Sequence, residues 1–87
     1  MIKYTKPFLE HLEQLVAEAG FSLRYEKGNF KSGYCVLKET RVIVVNRYFT
    51  LEGRINSLVD IIRSLGIDAE QLSEKSRRRL LELQAHP

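Results

Sequence analysis

The 87-residue chain has one cysteine, no tryptophan, two prolines and two histidines. Each scarcity excludes something. With only Cys35, no disulfide can form within the chain, so the fold must rest on packing. That suits a reducing compartment. His11 and His86 are too far apart to form a local metal-binding spacing such as H-x-x-x-H. The start of the chain, Met1 to Pro7, lacks the apolar core and small-residue cleavage site of a signal peptide. Nor does any run approach the roughly 18 apolar residues that span a bilayer. These readings lead to the expectation of a cytoplasmic protein without membrane, metal or cofactor.

The chain contains 44% hydrophobic and 29% charged residues, an ordinary globular composition. Its length fits one domain, in which about 60–65% of the unfolded surface is buried. The net charge of +3 is unevenly spread. Residues 24–48 carry six Lys/Arg against two Glu, whereas residues 1–23 sum to −1 and the remainder is neutral.

Apolar spacing predicts a helix over 7–19, with Phe8, Leu12, Leu15, Val16 and Ala19 on one stripe and Gly20 as its terminator. Alternation predicts a strand over 21–26. The stretch from Lys27 to Gly33 reads as a loop, and 34–38 as a second strand. Residues 41–46 form the third, whose four consecutive β-branched residues imply burial on both faces. Thr50 reads as an N-cap for a helix over 51–65, ended by Gly66. Asp68-x-x-Gln71 suggests a capping box opening a last helix over about 69–84. In that helix Leu72, Leu80 and Leu83 form a narrow seam interrupted by Ser76. The expected class is α+β: one helix, a three-stranded antiparallel meander, then two helices.

Candidate chemistry is sparse. Cys35 has no motif that supplies a base, so it reads as a small hydrophobe. Arg77, Arg78 and Arg79 are interleaved with Glu74 and Glu82 at helical spacing, and so read as a paired surface. The basic residues Arg24, Lys27, Lys31, Lys38, Arg41 and Arg47 lie among Tyr25, Phe30, Tyr34, Tyr48 and Phe49. Cations that track phosphates and rings that stack on bases are the elements of nucleic-acid binding. Phe30 attracts notice because it stands in a polar loop. Arg24, Lys27, Phe30, Lys31, Lys38, Arg41 and Arg47 are therefore the candidate nucleic-acid-binding residues.

The run Ile43-Val44-Val45-Asn46, then Phe49-Thr50-Leu51 and an amphipathic helix, resembles the small zinc metallopeptidases that cleave phage repressors and act in bacterial DNA-damage responses. In that family the strand leads into F-T-L-A-H-E-x-x-H. Gly53, Arg54 and Ser57 stand where the motif has His, Glu and His. The resemblance implies a shared sheet-and-helix scaffold from which the zinc site has been lost, because neither Gly53 nor Ser57 can replace imidazole and Arg54 would repel the metal.

The leading expectation is a non-catalytic interaction module that binds a protein partner or forms a homodimer. A nucleic-acid-binding domain using residues 24–48 is the alternative, and a cysteine-dependent enzyme is a third reading.

Overall fold

A computed structural model describes residues 2–27 and 34–85. The element order is α1 (Lys6–Glu18), β1 (Ser22–Glu26), β2 (Tyr34–Leu37), β3 (Val42–Asn46), α2 (Leu51–Ser64), a 3-10 turn (Ala69–Gln71) and α3 (Glu74–Ala85). The chain is thus α+β with the order α-β-β-β-α-α.

The sheet is not the antiparallel meander expected from the sequence. Its strand order is β1-β3-β2, with β2 antiparallel to β3 and β1 parallel to it. The cause lies in β3. Ile43, Val44 and Val45 are all buried, and a strand apolar on both faces is best covered between two neighbours. A meander would place β2 in the centre instead, yet β2 has no residue fully buried.

Pairing sorts the sheet into rows. Leu23, Ile43 and Val36 form one row, and Tyr25, Val45 and Tyr34 the next. Both rows pack against the helices in one continuous core, built around Leu12, Leu15, Val16, Ile55, Leu58, Ile62 and Leu80. The alternate rows, Ser22–Val42–Leu37 and Arg24–Val44–Cys35, face the other way. Val44 is only 8% exposed but does not belong to the helix-packed core.

Local signals set the helix ends. The Thr5 hydroxyl accepts from the Phe8 N–H at 3.2 Å, and Pro7 lies in the first turn of α1. Thr50 does the same for α2, accepting from the Gly53 N–H at 3.1 Å. The expected start of the last helix is corrected. Asp68 accepts from the Glu70 N–H at 3.0 Å but opens only the 3-10 turn. α3 begins after Ser73, whose hydroxyl accepts from the Ser76 N–H at 3.3 Å.

Gly20 has φ of 92° and closes α1 through its N–H to the Ala17 carbonyl. Gly66 has no such requirement, and a Cβ there would meet no atom within 4 Å. Gly20→Ala is expected to cost about 1–2 kcal/mol by forcing an L-residue to positive φ. Gly66→Ala is expected to be neutral or to stabilise by up to about 1 kcal/mol. Urea denaturation of the two variants checks the contrast, and equal effects would show that Gly20 is not held by its backbone angle.

Candidate functional site

β1 and β3 run parallel, so their C-terminal ends lie together. Lys27 follows β1 and Arg47 follows β3 at that end of the sheet. The Arg47 guanidinium lies over the Tyr48 ring, 5.6 Å from its centroid, and Tyr48 is 67% exposed. Lys38 and Arg41 belong to the β2–β3 turn at the opposite end. Arg24 projects from the middle of the outer face, in a row with Val44 and Cys35. Phe30 and Lys31 lie outside the described residues. The basic segment is therefore distributed over two ends and one face of the sheet.

Its aromatics are distributed too. Tyr25 and Tyr34 pack against the core, and Phe21 and Phe49 are half-buried beside it. Among the described residues, no aromatic ring projects from the outer face. That face presents Leu37, 48% exposed, beside half-buried Val42 and Cys35, with Val44 at its centre.

The β2–β3 turn brings two of the candidate cations together. The Arg41 N–H donates to the Lys38 carbonyl at 3.3 Å, and Arg41 has φ of 54°. Its guanidinium donates to the Ala19 carbonyl at 3.4 Å and lies 5.7 Å from the Phe21 ring centroid. Lys38 and Arg41 line a groove of about 370 Å³ with Phe21, Leu65, Ile67 and Gln71.

A second groove, also about 370 Å³, runs between α1 and α3. Here Glu18 gathers donors. It accepts from the Ser73 N–H at 2.6 Å, the Ser73 hydroxyl at 3.2 Å, the Ser76 hydroxyl at 3.0 Å and the Gln14 amide at 3.0 Å. The Ser73 N–H is the main cause that holds the Glu18 carboxyl below its ordinary value. Partial burial opposes it, while Gln14, Ser76 and the Ser73 hydroxyl assist. The groove mouth is paired as well. Arg79 donates to His11 Nδ1 at 3.1 Å, lies over Phe8 at 4.9 Å and meets Glu82 at 3.5 Å. Arg78 pairs with Glu74 at 3.2 Å, in the order that the spacing favours. Arg77 turns back to the Ala69 and Leu72 carbonyls.

The three positions aligned with the zinc motif carry structural contacts. A Cβ on Gly53 would come within 3.3 Å of the Phe49 side chain. A larger residue there would need the Phe49 side chain to give way by a few tenths of an ångström. The Ser57 hydroxyl donates to the Gly53 carbonyl at 2.8 Å. Arg54 donates to the Phe49 carbonyl at 3.2 Å and the Arg47 carbonyl at 2.8 Å, and lies 4.7 Å from the Tyr25 ring centroid. Tyr25 in turn donates to the Glu13 carboxylate. Burial is the first cause that pushes the Tyr25 hydroxyl well above the usual tyrosine range. Glu13 adds to it and Arg54 opposes it.

Among the described residues, no three His, Cys, Asp or Glu side chains gather as a metal-ion site. Cys35 is half-buried on the outer face, His11 is taken by Arg79, and His86 lies outside the described residues. Among the described residues, no helix is long and apolar enough to cross a membrane. Sequence reasoning missed the cluster at Glu18, Ser73 and Ser76, whose members stand 55 and 58 residues apart. Comparison with protein-family models, curated proteins and solved structures finds no match.

Proposed function

We propose that this chain is a non-catalytic protein-interaction module. Its docking surface is the outer face of the sheet, and its partner presents apolar residues flanked by carboxylates. The observation that supports this most is the row structure of the sheet. Leu37, Val42, Val44 and Cys35 lie on the face turned away from the helices, with Arg24 among them. The face sets Arg24 and Glu26 beside its apolar centre, and a partner that lays an apolar strip on this centre with a carboxylate opposite Arg24 suits it, because complementary charge orients a partner while apolar contact holds it.

The inward placement of Tyr25 and Tyr34 leaves Tyr48 as the exposed ring of the segment among the described residues, and this favours a protein partner over single-stranded nucleic acid, which stacks successive bases on several rings. The structural contacts of Gly53, Arg54 and Ser57 support a scaffold used without zinc chemistry, and kinship with the metallopeptidases is part of the same proposal.

Anisotropy titrations can separate the readings. One probe is a labelled peptide alternating Leu/Ile with Asp/Glu, and the other is a single-stranded oligonucleotide of equal charge. The peptide is expected to bind more tightly, and Leu37→Asp or Arg24→Glu to weaken it roughly tenfold, the loss of one good contact. Tighter, steeply salt-dependent binding of the oligonucleotide would transfer the site to nucleic acid.

A further inference from the structure

We infer a second binding site, distinct from the sheet face: the groove at the β2–β3 turn takes the oxyanion of a small ligand that carries a flat apolar body. Two observations meet there.

The first is the chemistry of the walls. Lys38 and Arg41 supply two cations from one turn. Neither forms an ion pair with a described residue. Phe21, Leu65 and Ile67 supply an apolar wall and Gln71 an amide. Among the described residues of the lining, Asp68 is the one acid, and its carboxylate is engaged by the Glu70 N–H at 3.0 Å. A concave site with an apolar wall and a few convergent polar groups is the usual form of a small-molecule pocket.

The second is the residue at the turn. Arg41 has φ of 54°, a position where glycine or asparagine is the favoured residue. An L-residue there costs about 1–2 kcal/mol. Glycine would close the turn without that cost. What arginine adds is a guanidinium held in place, because its contacts with the Ala19 carbonyl and the Phe21 ring fix its direction along the groove. Its remaining N–H groups can meet an oxyanion in the planar manner guanidinium favours, with Lys38 as a second charge. The Phe21 ring, already beside Arg41, offers a surface on which a flat apolar body can lie.

The test is a nuclear magnetic resonance titration of the ¹⁵N-labelled full chain with phenyl phosphate, benzoate and inorganic phosphate. Saturable shifts are expected at the amides of Phe21, Lys38, Arg41, Ile67 and Gln71. Phenyl phosphate or benzoate should bind more tightly than inorganic phosphate, and the stronger of the two identifies the oxyanion. Lys38→Ala should weaken binding roughly tenfold, the scale of one charge-assisted hydrogen bond. Asp68→Asn, which keeps the turn cap, should tighten it. Arg41→Gly suits the backbone angle and leaves the turn intact, so loss of binding in that folded variant would locate the site. The inference is overturned by non-saturating shifts with all three probes. It is equally overturned if binding is unchanged in both Lys38→Ala and Arg41→Gly, or if inorganic phosphate binds as well as the aromatic anions.

Discussion

Arg54→Ala is expected to destabilise the chain by about 2–4 kcal/mol, less than the full sum of two charge-assisted hydrogen bonds and a cation–π contact because the bond to the Arg47 carbonyl is open to solvent. The guanidinium joins three parts of the fold. It holds the Phe49 and Arg47 carbonyls of the β3–α2 connection and lies over Tyr25 of β1. Tyr25 is tied to Glu13 of α1, so the removal of Arg54 loosens the corner where strand, turn and both helices meet. The melting temperature should fall by roughly 10–25 °C for a chain of this size. Arg54→Lys keeps the charge but cannot reach both carbonyls and the ring with one ammonium, and an intermediate loss is expected. Urea denaturation measures both variants. A change in Arg54→Ala below about 0.5 kcal/mol, the range of ordinary surface substitutions, would show that Thr50 and the Tyr25–Glu13 bond hold the corner alone.

The second large effect is expected at Glu18. α3 is tied at both ends by other helices. Glu18 of α1 takes the Ser73 N–H and the Ser73 and Ser76 hydroxyls at its start, and Arg63 of α2 donates to the Leu83 carbonyl near its end at 2.9 Å. Glu18→Ala removes the first tie and leaves the buried Ser76 hydroxyl without that acceptor. A loss of about 1–2 kcal/mol is expected, at the lower end for charged hydrogen bonds because the site opens to solvent.

The same contacts make stability depend on acid. The Glu18 carboxyl lies below its ordinary value of 4.5 in the folded chain. Its contribution is therefore complete above pH 4.5 and is lost as pH falls through the lower folded value. Glu18→Gln should be less stable at neutral pH and should remove that part of the acid dependence. Parallel pH–stability curves for Glu18→Gln and the parent chain would show that the Glu18 carboxylate does not hold the start of α3.

Much of this fold is legible from local pattern. The stripes of α1 and α2, the cap at Thr50 and the limits of β3 to within one residue follow from spacing and capping chemistry. The strand order shows two rules in conflict. Nearness in sequence suggests a meander, while four β-branched residues suggest a strand covered on both faces. Burial prevailed, because a central position between β1 and β2 satisfies both edges of the most apolar strand.

The start of α3 shows a different limit. Asp68-x-x-Gln71 and Ser73-x-x-Ser76 are comparable local signals, and the choice is made by Glu18, a carboxylate from α1. The basic segment was legible as charge but not as a surface. One parallel and one antiparallel pairing send Lys27 and Arg47 to one end and Lys38 and Arg41 to the other. The groove at the β2–β3 turn is completed by Leu65, Ile67 and Gln71, which no spacing connects to residue 41.

Leu37 is exposed at the centre of the question of function, and a photoreactive amino acid can replace it with little effect on stability. Irradiation in living cells then reports what lies against the outer sheet face. The expected result is one protein adduct of defined mass, lost when Arg24→Glu is added and absent when the probe is moved to Leu81 on α3. Adducts only with nucleic acid, adducts with a second copy of the chain, or the same products from Leu37 and Leu81 would contradict the assignment of this face to a protein partner.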